Sequence, residues 1–217
     1  MKKVLLIIAA LFMGMQAQAQ IVADGGYLHA FETRKSDVVS PGQDGLFLGA
    51  RYNIDLDDWM DGLSFIPGLN LSAIRGKVLA LSLDNKYYEV PLSTTRELAI
   101  NMPIHLKYQY EFMSNFAVYG FLGPTLQLGF FNNIVDRQDN AKKIINMYKE
   151  IQDPEWKLLG AKTRTPFNLY LGLGVGVEVA ERILVNAAFD FGLLNMTTAA
   201  NSKIHRNVLK IGIGYIF

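Results

Sequence analysis

Along most of this chain apolar residues recur at every second position rather than every third or fourth, the periodicity of strands and not of helices. In LFLGARYNI, Leu46, Leu48, Ala50, Tyr52 and Ile54 alternate with Phe47, Gly49, Arg51 and Asn53. In LAINMPIHLKYQY, Leu98, Ile100, Met102, Ile104, Leu106, Tyr108 and Tyr110 alternate with Ala99, Asn101, Pro103, His105, Lys107 and Gln109. In FNLYLGLGVGVEV, Phe167, Leu169, Leu171, Leu173, Val175, Val177 and Val179 alternate with Asn168, Tyr170, Gly172, Gly174, Gly176 and Glu178. Each strand therefore has one continuous apolar face and one small or polar face. Eight strands are predicted, at 21–32, 45–55, 63–74, 97–110, 115–130, 167–180, 183–195 and 206–217. Most are 11 to 14 residues long. Strands of soluble proteins are usually about five or six residues, whereas a tilted membrane strand needs about 9–11.

The connections alternate as well. DLDDWMDG, EFMSN and AER are short joints, whereas the connections around 35–42, 76–95, 131–166 and 195–205 are long. Short turns at one end and long loops at the other are the pattern of an outer-membrane barrel. The competing reading is a soluble eight-stranded barrel with its apolar face inward. Against it, the faces opposite the apolar sets are rich in glycine and poor in charge, which suits a crowded interior better than a wetted surface. The fold class expected is all-β: an eight-stranded antiparallel up-and-down transmembrane β-barrel with long extracellular loops. In the final strand, Ile211, Ile213, Tyr215 and Phe217 are expected to face lipid and Gly212 and Gly214 the inside. The aromatic end suits the interfacial girdle.

The amino terminus adds a compartment. MKK is a basic segment, VLLIIAALFMGM is a twelve-residue apolar run, and Ala17-Gln18-Ala19 is a small-residue cleavage signature. This reads as a secretory signal, 1–19, cut before Gln20, with the barrel domain at 20–217. Twelve apolar residues are too few for a spanning helix, which takes about 20. No cysteine occurs, so disulfides, thiolate metal sites, cysteine nucleophiles and a lipoprotein anchor are excluded. Without Lys2 and Lys3 the balance is 19 basic against 20 acidic residues. Nucleic-acid binding is not expected of so neutral a chain.

LAINMPIHLKYQY (98–110), with a proline inside an apolar strand, FAVYGFLGPTLQLG (116–129), and the terminal IGIGYIF resemble the PorT-type outer-membrane β-barrel proteins of Bacteroidota. The resemblance spans essentially the whole mature chain, and its motifs are structural. It implies an outer-membrane barrel of about eight strands, and no catalytic residue, cofactor or shared substrate. A final strand ending in phenylalanine also resembles the signal read by the barrel assembly machinery, an expected partner in biogenesis beside outer-membrane lipid.

The candidate chemistry is thin. Arg51, His105, Lys107, Glu178 and Asp190 fall at inward positions. Charges there are costly unless paired, so Arg51 and Lys107 are expected to bridge Glu178 and Asp190 in a plug that holds the barrel shut. The functional alternative is a proton or ion path. His29, His105 and His205 show no metal spacing. Ser202 and His205 are the candidate pair for a rim-located lipid-modifying enzyme, but a polar loop explains them better. LGLGVGV lacks the strand-to-helix context of a nucleotide loop, and its glycines are read as making room for bulky neighbours. In the third outer loop Asp139 is placed as an N-cap, Pro154 as a stop, and Ile144, Met147, Tyr148 and Ile151 share one helical face. Such a short helix would pack over its own barrel mouth, lie on the lipid headgroups or dock a partner, and in the last case it is the candidate partner-binding element. The second outer loop alternates well enough to prolong its flanking strands as a hairpin around Asp84-Asn85, and Trp59 is placed as an interfacial anchor in the short first turn. These features point to a structural or interaction barrel with partner- or ligand-binding outer loops. A narrow conduit for small or apolar solutes is the second reading.

Overall fold

The computed structural model describes residues 19–34, 42–83, 86–136, 165–196 and 203–217. Eight strands appear in chain order: β1 (Ala19–Arg34), β2 (Gln43–Asp55), β3 (Leu63–Leu83), β4 (Lys86–Met113), β5 (Phe116–Asp136), β6 (Phe167–Val179), β7 (Ile183–Gly192) and β8 (Ile204–Ile216). Each pairs antiparallel with its neighbours in sequence, and β1 pairs with β8 to close the barrel. No sheet edge remains within the closed part, which is what a β-structure needs in hydrocarbon, where an unpaired backbone group costs several kcal/mol. No helix among the described residues is long and apolar enough to cross a membrane; this chain crosses with strands.

The register sets the barrel's shape. A cross-strand row leaves β4 at Tyr108 and runs through Gly120, Val175, Ala187, Ile211, Tyr27, Leu46 and Ala73. It returns to β4 at Leu98, ten residues from its start. That stagger in eight strands tilts them by roughly 40° and leaves an interior just wide enough for side chains. Every residue of the row is apolar or glycine, and the row belongs to the outward set. Leu46, Leu48, Val175 and Ile213 are each more than 60% exposed, the opposite of what a water-soluble barrel would arrange. Tyr108, Tyr110, Phe112, Met113, Tyr215 and Phe217 crowd the end bearing the short turns, and Trp59 is 84% exposed in the first of them.

The turns at that end are local. Ala180 and Glu181 both take positive φ, 55° and 58°, as the central pair of a tight turn in the three-residue β6–β7 joint, and the Arg182 N–H closes it on the Val179 carbonyl at 3.2 Å. Gly62, at φ 77°, closes the longer β2–β3 turn against the carbonyl of Gln109.

At the opposite end β3, β4 and β5 run past the belt-spanning limits of 74, 97 and 130. The hairpin around 84–85 is present: β3 and β4 remain paired up to Leu83 and Lys86. β5 also outruns its expected end and pairs with β4 as far as Ser93 and Asp136. A three-stranded ribbon thus rises past the points where β2 and β6 stop, because the β3–β4 alternation continues beyond the apolar belt. The 139–154 segment, with Ile144, Met147, Tyr148 and Ile151, lies outside the described residues, as do residues 1–18 and Ser202.

Candidate functional site

The inward face is the chemically rich one, and glycine shapes it. Phe121 pairs with Gly174 and Tyr119 with Gly176 across β5 and β6. A Cβ at either glycine would overlap the aromatic ring opposite. The alternate glycines of LGLGVGV are therefore slots for the β5 aromatics. Phe121 stacks on His105 at 5.2 Å between centroids and lies 6.3 Å from the Tyr119 ring, over which Lys107 Nζ sits at 5.7 Å. This column joins Val22, Ile66, Leu184, Ala188 and Ile216 in an apolar cluster that fills the barrel toward the short turns. A second cluster, Leu28, Ala30, Phe47, Ile74, Tyr170 and Val208, fills it nearer the long loops.

Ionised groups are held between and above these clusters, and the pairing differs from the one expected. Arg51 Nη2 lies 3.1 Å from Asp24, not from Glu178 or Asp190. Asp190 takes Lys210 Nζ at 2.5 Å. Lys107 donates to Gln109 at 3.0 Å and interacts electrostatically with Glu178 and Asp55. His105 bonds Thr125 at 3.1 Å and lies across Gly172 from Asp190. All five expected residues thus line the lumen, but register gives Arg51 and Asp190 other partners: Asp24 sits one strand from Arg51, and Lys210 one strand from Asp190.

Arg206 has a fully buried side chain. Its Nη1 donates to both oxygens of Glu97 at 2.8 and 2.9 Å, and its Nη2 to Glu32 at 2.9 Å and Gln43 at 3.5 Å. Gln43 also donates to Glu32 at 3.2 Å. The planar guanidinium reads two carboxylates from strands on different sides of the barrel, a geometry that lysine would not supply. Below it, Tyr170 donates to Gln127, Gln127 to Asn101 and Asn101 to Ser72, each at 2.9 Å, so a neutral hydrogen-bonded chain ties β6 to β3.

Sequence reasoning missed Asp24, Glu32, Glu97, Arg206 and Lys210, and with them the charge on the inner face. The signal was available. Arg206 and Lys210 are in phase with Gly212 and Gly214, and Glu97 with Asn101, His105 and Lys107. Among the described residues no group of three or more His, Asp or Glu side chains is placed to hold a metal ion. His205 stands on the outward set of β8, opposite Thr33.

A closed, sheared, eight-stranded barrel that is apolar outside and ion-paired inside defines an integral outer-membrane β-barrel protein. The chain belongs to the family described as outer membrane protein beta-barrel domain, whose family model matches residues 5–217. Its place is the outer membrane of a Gram-negative bacterium. Among solved structures it is similar to Neisserial surface protein A, with a TM-score of 0.51, 13% identity and coverage of 92% of this chain and 99% of that one. It is similar also to OprG of Pseudomonas aeruginosa (TM-score 0.49, 17% identity, 92% and 96% covered). The attachment invasion locus protein Ail of Yersinia pestis aligns with a TM-score of 0.47 at 11% identity, with 92% and 99% covered. At such identities the likeness speaks for the fold alone. A search of curated proteins gave no match.

Proposed function

We propose that this barrel is a non-enzymatic scaffold whose outer loops bind a protein partner or ligand. The observation that carries the reading is the filled lumen. Two apolar clusters and the Arg206–Glu97–Glu32 layer occupy the interior, so the inner face is committed to holding the barrel together. The charges of the lumen, Arg51, His105, Lys107, Glu178 and Asp190 with their partners, act as a structural plug rather than as an ion path. Function then belongs to the end bearing the ribbon of β3, β4 and β5 and the long third loop. Within that loop, Ile144, Met147, Tyr148 and Ile151 form the docking face.

In this reading the chain is a PorT-type barrel of Bacteroidota, with 1–19 removed as a signal peptide and the assembly machinery as its partner in biogenesis. The resemblance of LAINMPIHLKYQY, FAVYGFLGPTLQLG and IGIGYIF supports it.

Mild-detergent purification from native membranes, followed by mass spectrometry, tests the role. A stoichiometric protein that is lost on deletion of 139–154 is the expected result. A barrel that carries only lipid, with or without that segment, overturns the docking assignment.

A further inference from the structure

Among the described residues the outward face carries a polar row on β1 to β4 that neither the wall nor the plug requires. His29 pairs with Asp44, Asp44 with Arg75, and Arg75 with Arg96, so four ionisable residues stand side by side on β1 to β4. At strand spacing the row is about 14 Å long. Two residues nearer the short turns on the same strands lies the row Tyr27, Leu46, Ala73 and Leu98, which is part of the apolar wall. The shear of the barrel makes both rows climb from β1 toward β4. His29 therefore sits at the upper edge of the hydrocarbon, and Arg75 and Arg96 stand above it, on the side of the long loops. That level belongs to the lipid headgroups of the outer leaflet.

The charges within the row are unequally matched. The Asp44 carboxylate is engaged on its β1 side: His29 Nδ1 lies 2.6 Å from its Oδ1, and the Tyr27 hydroxyl donates to the same oxygen. Arg75 and Arg96 are both exposed and directly opposed. Like charges directly opposite on adjacent strands repel unless an anion is shared between them. Two guanidinium forks are suited to bidentate bonding of phosphate oxygens, and the apolar residues beneath them are suited to acyl chains.

We propose that Arg75 and Arg96 form a binding site for the phosphate of an outer-leaflet lipid, whose chains lie against Leu46, Leu71, Ala73, Leu98 and Ile100. His29 and Tyr27 hold Asp44 aside, so that its carboxylate does not neutralise Arg75. The site is independent of the loop-docking reading, since it needs neither the third loop nor a protein partner.

The full-length barrel, folded into nanodiscs of phosphatidylcholine with a minority of phosphatidic acid, tests it. Native mass spectrometry reads the phosphatidic acid retained on the protein relative to phosphatidylcholine. The wild type is expected to enrich the phosphomonoester lipid, and Arg75→Gln/Arg96→Gln to lose that enrichment by about tenfold or more. Arg75→Lys/Arg96→Lys should retain part of it, because charge survives and the fork does not. Lys203→Gln, an exposed basic residue on the other side of the barrel, should match the wild type. A gel-mobility difference before and after boiling confirms that each variant is folded. Equal enrichment in wild type and the double glutamine variant overturns the proposal. So does displacement of the lipid by excess inorganic phosphate, which would mark a free-anion site instead.

Discussion

The wall and the lumen of this barrel are built from alternate residues of the same strands, yet they obey opposite rules. On the wall any apolar residue serves, because lipid adapts to its shape; Leu46, Leu48, Val175 and Ile213 turn most of their surface outward. In the lumen several large or charged side chains are fitted to particular partners. Gly174 exists for Phe121, Gly176 for Tyr119, Asp24 for Arg51 and Lys210 for Asp190. The wall is thus tolerant in shape and intolerant of charge. The lumen holds its charges as ion pairs and has little room for added volume at Gly174 and Gly176.

Removing one member of a complete set should have the largest effect. Arg206→Met leaves Glu97 and Glu32 buried without their cation, and a loss of about 3–5 kcal/mol is expected in denaturant titrations of the folded barrel. The triple change Arg206→Met with Glu97→Gln and Glu32→Gln should recover much of that loss. If the triple variant is no more stable than the single one, the cost comes from packing and the charge-set account of the lumen is wrong.

A charge placed on the wall should cost somewhat less. Leu71→Arg introduces a cation on the lipid face, at about 2–4 kcal/mol if the residue lies near the bilayer midplane. A neutral result would show that the face meets water or protein there. Overpacking the lumen comes next. Gly174→Val drives two methyl groups into the Phe121 ring, for about 1–3 kcal/mol. Pairing it with Phe121→Ala should make the two changes less than additive, and simple additivity would mean that slot and ring are not coupled.

The same contrast explains what could be read from the sequence. The wall follows from period-two alternation and strand length, both local, so the class, the eight strands and the direction of Ile211, Ile213 and Phe217 were all legible. The hairpin at 84–85 was legible for the same reason. The lumen depends on which residues face each other around a closed ring. Arg206 meets Glu97 across a gap of 109 residues and Glu32 across 174. Alternation indicates which side chains point inward and is silent on which of them meet. Arg51 was therefore assigned to the inner face without its partner Asp24, and the charge of that face was underestimated. Arg206 escapes notice because it stands at the edge of the expected strand 206–217, where a cation looks like part of a loop, whereas β8 begins at Ile204. The row from His29 to Arg96 is hidden similarly, since its members lie far apart in sequence and become neighbours only through register.

The central claim is that the lumen is shut by its own side chains. Single-channel recording of the purified barrel in planar bilayers tests it most directly. The account predicts no steady conductance for the wild type at moderate voltage. A reproducible, steady channel from the folded wild-type protein would contradict it and restore the conduit reading.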